Sequence, residues 1–205
     1  MPNRLSAREL ILQLAIDAID TGGEAAVRVN DIAKEAGVTV PTLYRYFGSR
    51  DGLVVAAQTQ RFRMTQNVDT GVFAAALAKV KTPEQFRKAI LKELPLHFES
   101  DRFELRQVRL NALGSAANRP ELKAAIAQAQ YDGASGLAAA LKPYQDRGWI
   151  RKDIDLLALA YFYMGQILGR ALIEMGDDPV NVKKWNQISV EAIISVVLDG
   201  PVRKG

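Results

Sequence analysis

The fifteen residues AGVTVPTLYRYFGSR, Ala36 to Arg50, decide the fold of this chain. Just ahead of them Val29, Ile32, Ala33 and Ala36 recur at i, i+3, i+4 and i+7, one apolar stripe on a short helix. Gly37 stops that helix, because glycine accepts the left-handed conformation common after a helix C-terminus, and Val38 can turn inward to pin the corner. Thr39 is placed to cap a second helix with its hydroxyl, and Pro41 falls in the first turn, where no amide proton is missed. Leu43 and Phe47, four apart, face the core. Val40, Pro41, Thr42, Tyr44, Arg45 and Tyr46 supply the outer and flanking surfaces. Gly48 closes the helix, and Arg50 begins the next one after the Ser49 cap.

Two helices joined by a short glycine-containing turn form a helix-turn-helix, whose second helix enters the DNA major groove. Threonine and tyrosine hydroxyls suit phosphates, whereas Val40, Pro41 and the Thr42 methyl suit thymine methyls. At the start of the following helix, terminal amides and the Arg50 guanidinium can converge on one phosphate.

Working outward, Ser6 and Glu9 form a capping box for a first helix that carries Ile11, Leu14, Ala15 and Ala18 and ends at Gly22-Gly23. The three helices make a small module over residues 1–50, marginal alone. It leans on a helix from about Arg50 to Asn67 with Leu53, Val54, Ala57 and Phe62. Residues 51–205 read as a second, larger helical domain. Thr82-Pro83 opens a helix that Pro95 kinks or ends, Ser100-Asp101 opens another, and Pro120 starts a long alanine-rich one with Pro143 as its stop. Asp146 to Asp155 is a connection, and two helices follow at about Asp155–Met175 and Asn181–Leu198. No stretch has the two-residue period of a strand. The fold class is all-α: a three-helix helix-turn-helix module followed by a helical bundle.

The last two helices are apolar on nearly every face, which calls for burial on two sides. One side is the domain's own core, and the other is most simply a second copy of the chain. Ala158, Gly165 and Gly169 would let backbones approach closely, with Ile188, Ala192 and Val196 on the last helix. A central core helix in a monomer is the alternative.

Across 205 residues, 48% are apolar and 24% charged, an ordinary globular composition. The chain has no cysteine, which removes disulfides, thiolate metal sites and a cysteine nucleophile. A single histidine, no Gly-rich phosphate loop and no HExxH argue against an enzyme. No cofactor is expected. The N-terminus lacks a secretory h-region, and the run from Leu156 to Ile173 is broken by Gln166, Arg170 and two glycines, so a cytoplasmic protein without a membrane helix is expected. The net charge is +4. Through Arg50, however, the cations Arg4, Arg8, Arg28, Lys34, Arg45 and Arg50 are matched by Glu9, Asp17, Asp20, Glu24, Asp31 and Glu35. DNA affinity must then come from where charges sit rather than from a basic domain.

The segment from Leu10 to Leu53 resembles the DNA-binding part of the tetracycline-repressor (TetR) family of bacterial regulators. That resemblance implies a two-fold homodimer of all-helical subunits that binds a palindromic double-stranded operator. It also implies that the larger domain dimerises through its last two helices and encloses a pocket for a small-molecule effector. It places Thr39, Val40, Pro41, Thr42, Tyr44 and Tyr46 on the recognition helix, Arg28 and Asn30 at the start of the preceding helix, and Arg50 on a phosphate. Arg28 stands where the family usually caps with Ser or Thr, and Arg50-Asp51-Gly52 where Lys-Glu-Ala is more usual.

For the effector, Arg102, Arg106 and Arg109 form a stripe at i, i+4 and i+7. It offers a cationic wall for an anionic molecule, or a set of arginines paired with Glu99 and Glu104. Phe62, Phe103, Arg106, Leu110, Tyr163 and Gln166 are the candidate effector contacts, with Arg170 placed to pair with Glu174. The functions in contention are a ligand-responsive repressor, an all-helical small-molecule-binding protein or enzyme without specific DNA binding, and a dimeric scaffold with a vestigial DNA module.

Overall fold

The computed structural model describes residues 5–176 and 180–199, with backbone only for 67–70, 72 and 199; Arg4, counted above among the cations through Arg50, lies outside them. All the regular elements among the described residues are helical: α1 Ala7–Gly22, α2 Val29–Glu35, α3 Val40–Phe47, α4 Arg50–Ala78, α5 Pro83–Glu93, α6 Phe103–Ala116, α7 Pro120–Asp146, α8 Leu156–Arg170 and α9 Val182–Ile194. Short 3-10 turns follow α1, α5 and α8 and precede α6, and a π-helical turn, Ser195–Asp199, continues α9.

The chain divides into two compact units, one of 1–63 with 112–127, the other of 64–111 with 128–205. In the first, Ile11, Ala15, Val27, Leu43, Leu53 and Val54 are among the core residues from α1 to α4. The capping box is formed: the Ser6 hydroxyl accepts from the Glu9 amide, and the Glu9 carboxylate accepts from the Ser6 amide at 2.8 Å. In the second unit the core gathers around Phe86, Phe98, Leu137, Leu159 and Ile193. Tyr144 stacks on Phe86 with centroids 4.8 Å apart, and its hydroxyl donates to the Leu77 carbonyl at 2.6 Å.

Two helix ends differ from the sequence-based expectation. Pro143 lies inside α7 and does not stop it; the helix runs to Asp146. A proline in the last turn forfeits one helical bond, and the Tyr144 ring and hydroxyl hold that turn. The true stop is Gly148, at φ 78°, with the Trp149 amide donating to the Tyr144 carbonyl at 2.9 Å. Likewise α4 continues through Gly71 to Ala78 instead of ending near Asn67. One interior glycine costs about 1 kcal/mol, and the buried Phe73 and Leu77 hold the extension.

The last two helices divide their surfaces. On α8, Leu159, Ala160, Tyr163 and Ile167 are buried, while Ala158, Phe162 and Gly165 are exposed. On α9, Ile193 is buried and Ile188 is 66% exposed. The stretch Leu156–Glu174 is long and apolar enough to cross a membrane by length and composition; here one face of it is core, and that face includes the charged Arg170.

Candidate nucleic-acid interface

The helix-turn-helix is built by local chemistry. Gly37 sits at φ 68°, and the Val38 amide reaches back to the Ala33 carbonyl at 2.9 Å, which ends α2 and turns Val38 toward the core. Thr39 caps α3 by accepting from the Thr42 amide, and the two threonine hydroxyls lie 3.0 Å apart. Leu43 is fully buried and anchors α3, while Phe47 packs at the core edge beneath the Arg8 guanidinium, 5.3 Å from the ring centroid.

What remains of α3 points to solvent. Thr39, Pro41, Tyr44, Arg45 and Tyr46 are exposed and Val40 and Thr42 half-buried, with Tyr44 at 41% and Tyr46 at 39%. Tyr46 is held edge-on against Phe47 and lies under the Arg45 guanidinium at 5.7 Å. The helix carries no carboxylate, so its outward surface offers hydroxyls, methyls and one guanidinium. Arg28 occupies the cap position of α2 without a side-chain cap bond and is exposed, as is Asn30 in the first turn.

Arg50 has a second task that the sequence does not announce. Its Nε donates to the Val27 carbonyl at 2.9 Å and an Nη to the Glu24 carbonyl, so it ties the start of α4 to the loop between α1 and α2. Arg50→Ala is therefore expected to lower the melting temperature as well as DNA affinity. With two charge-assisted bonds lost, each worth about 1.5 kcal/mol or more, thermal unfolding followed by circular dichroism would detect it. An unchanged melting temperature would assign Arg50 to the DNA surface alone.

Glu24, in that same loop, is the hub of a network. It accepts from Gln58 Nε2 at 2.8 Å and from the Ser115 hydroxyl, and it pairs with Arg119 at 2.7 Å. Arg119 in turn reaches Asp51 in the first turn of α4 at 3.0 Å. Burial pushes the Glu24 carboxyl up, but the bonds from Ser115, Gln58 and Arg119 more than offset it, and the group is held below its ordinary value. Its stabilisation is therefore present above that ordinary value, near 4.5, and lost as pH falls through the depressed one. Glu24→Gln should lose on the order of 1 kcal/mol at pH 7, with the two melting curves converging at an acid pH below the carboxyl's depressed value. A constant difference at both pH values would contradict the ionic role.

The second unit holds an apolar cleft lined by Phe73, Ile90, Leu94, Leu137, Leu141, Leu159, Ala160, Tyr163, Ile193 and Val197, with about 420 Å³ of empty space counting its mouth. Of the six sequence candidates for effector contacts, Tyr163 lines it and Phe62, Phe103, Arg106, Leu110 and Gln166 do not. Phe62 is buried in the first unit, whereas Phe103 is exposed. The arginine stripe is divided among other partners. Arg106, 1% exposed, pairs with Glu174, its Nε donating at 2.7 Å, and bonds the His97 and Glu99 carbonyls. Arg109 donates to the Thr65 hydroxyl at 3.0 Å and to its carbonyl at 2.8 Å. Arg170 also meets Glu174, at 3.3 Å. His97, after Pro95, is a core residue between the Phe73 and Tyr163 rings.

A capped, glycine-turned pair of helices with an exposed hydroxyl-rich face defines a helix-turn-helix protein. Residues 11–57 match the model of the bacterial regulatory proteins of the tetR family. It is 38% identical over 71 residues to the HTH-type transcriptional repressor KstR of Mycolicibacterium smegmatis. That match takes in 35% of this chain and spans about a third of the length of the relative, 33%. The all-helical fold is shared over nearly the whole length with a TetR-family transcriptional regulator from Cytophaga hutchinsonii: TM-score 0.66, 16% identity, 95% of this chain and 98% of that one. It is shared also with the regulator FadR of Bacillus subtilis in complex with stearoyl-CoA: TM-score 0.57, 20% identity, 91% and 97% covered.

Proposed function

We propose that this protein is a cytoplasmic, ligand-responsive transcriptional repressor that binds a palindromic DNA operator as a homodimer. The observation that carries the DNA-binding part is the exposed, carboxylate-free face of α3, with Thr39, Pro41, Thr42, Tyr44 and Tyr46 projecting from a helix anchored by the buried Leu43. Such a surface meets phosphates by hydroxyl donation and thymines by methyl contact. Arg28, Asn30, Arg45 and Arg50 flank it. The likeness to KstR, a repressor, supports the direction of control.

The dimer is supported by the apolar residues that α8 and α9 leave uncovered, Ala158, Phe162 and Gly165 on one and Ile188 and Val196 on the other, with Gly169 and Ala192 half-buried beside them. An exposed apolar patch of this kind is most simply covered by its own symmetry mate. Ligand response is supported by the apolar cleft and by the stearoyl-CoA held in FadR, a protein of the same fold. Effector binding would favour a conformation whose two recognition helices no longer match successive major grooves.

A gel shift on the DNA flanking the protein's own gene, repeated across salt concentrations, tests the DNA-binding assignment. Retardation that weakens as salt rises and is competed by one palindrome but not by random duplex is expected. Competition by every duplex alike would refute it.

A further inference from the structure

We infer that the molecule which switches this protein is small, uncharged and hydrocarbon-like, and that it occupies the cleft between Phe73, Leu94, Leu141, Ala160, Tyr163 and Ile193. This rests on the effector-responsive function proposed above and names the chemical class of its ligand. The cleft is walled by the second half of α4 together with α5, α7, α8, α9 and the turns that follow α5 and α9. Every lining residue is aliphatic or aromatic, and the one hydroxyl among them, that of Tyr163, is itself buried, so no polar atom is presented to a guest.

That wall excludes charged ligands on physical grounds. An ionised group taken out of water needs a counter-charge or several hydrogen bonds in its new surroundings. The lining offers neither a cation nor a carboxylate. Of the buried arginines of this unit, Arg106 is hydrogen-bonded to Glu174 and Arg109 to Thr65, while Arg170 faces Glu174 at 3.3 Å as an ion pair without a hydrogen bond, and none of the three lines the cleft. Their separate engagement replaces the anionic-effector expectation drawn from the arginine stripe.

Size and rigidity narrow the class further. The enclosed part of the cleft is small, since the 420 Å³ of empty space includes its open mouth, and apolar cavities of modest size stay dry and take up aromatic hydrocarbons. Two of the walls are flat rings held in place: the His97 imidazole packs edge-on to Phe73 at 6.1 Å and to Tyr163 at 5.6 Å. A planar ring system fits between such walls better than a branched or strongly solvated molecule.

The test uses the full-length protein without DNA and three probes of one shape: naphthalene, 2-naphthoate and (2-naphthylmethyl)trimethylammonium. Calorimetric titration and thermal melting are expected to show naphthalene binding at least about tenfold tighter than either ion, since burying an unpaired charge opposes binding. Ala160→Leu, which fills the cleft, should abolish naphthalene binding while helicity by circular dichroism is kept. Should that variant lose helicity, Ile193→Phe serves the same purpose. No binding of naphthalene, or equal binding of an ion, overturns the inference. Because no DNA is present, failure here leaves the DNA-binding assignment standing, and failure of the gel shift leaves this ligand class standing.

Discussion

Replacing Tyr44 and Tyr46 together by alanine is expected to weaken specific DNA binding by about two to three orders of magnitude while leaving the fold intact. Both rings are exposed on α3, and the core contact of that helix is made by Leu43, so truncation removes surface chemistry and no packing layer. A net hydrogen bond contributes about 1 kcal/mol; two hydroxyls per subunit, counted twice in a dimer, sum to roughly 3–4 kcal/mol, with 1.4 kcal/mol corresponding to tenfold. The measurement is fluorescence anisotropy on an operator duplex, with a circular dichroism melt as the control for folding. Unchanged affinity would remove both tyrosines from the interface. A melting point that falls in step with affinity would make them structural.

Gly52→Ala should be the most damaging small substitution in the DNA-binding module. A Cβ built on Gly52 would lie 2.0 Å from the Phe47 carbonyl oxygen, a backbone atom that cannot swing aside as a side chain can. The turn is that tight because Gly48, at φ 75°, folds the chain back, and because the Ser49 hydroxyl accepts from the Gly52 amide at 2.9 Å. Relief of the clash requires α3 and α4 to separate, at a cost of roughly 3 kcal/mol, the upper range for forced overpacking. The displaced helix is the one proposed to read DNA, so affinity should fall with stability. Urea unfolding at pH 7 followed by circular dichroism reads the first effect. A midpoint equal to that of the parent protein would mean that the turn relaxes freely and that the close approach carries no weight. The resembled family more usually has Ala where Gly52 stands, whereas the close approach to the Phe47 carbonyl in this chain calls for Gly.

What could be foreseen from the sequence was local. The caps at Ser6, Thr39, Ser49 and Thr82, the left-handed Gly37, the helix end at Gly48 and the burial of Leu43 follow from residues within four positions of one another. They formed as expected. The features that escaped join distant parts of the chain. Glu24 meets Ser115 and Arg119, Arg106 meets Glu174, and the cleft collects residues from Phe73 to Val197. Helical periodicity put Arg102, Arg106 and Arg109 on one stripe, but nothing in a stripe says which carboxylate or carbonyl another helix will bring to it. Arg50 shows the same limit at shorter range. Its charge and its place at a helix start were apparent, whereas its bonds to the Glu24 and Val27 carbonyls depend on how the loop after α1 closes. Pro143 was misjudged for a related reason: the stacking of Tyr144 on Phe86 and its hydroxyl bond to the Leu77 carbonyl, 67 residues away, outweigh one missing helical bond.

The central claim is that α3 reads a DNA sequence in two symmetric copies, and selection from a pool of random-sequence duplexes tests it most directly. Enrichment of one palindrome, its half-sites one or more helical turns apart and its binding at least about a thousandfold tighter than that of the starting pool, is the expected result. A pool that remains random after repeated rounds, or a selected site with a single unpaired half, would contradict it.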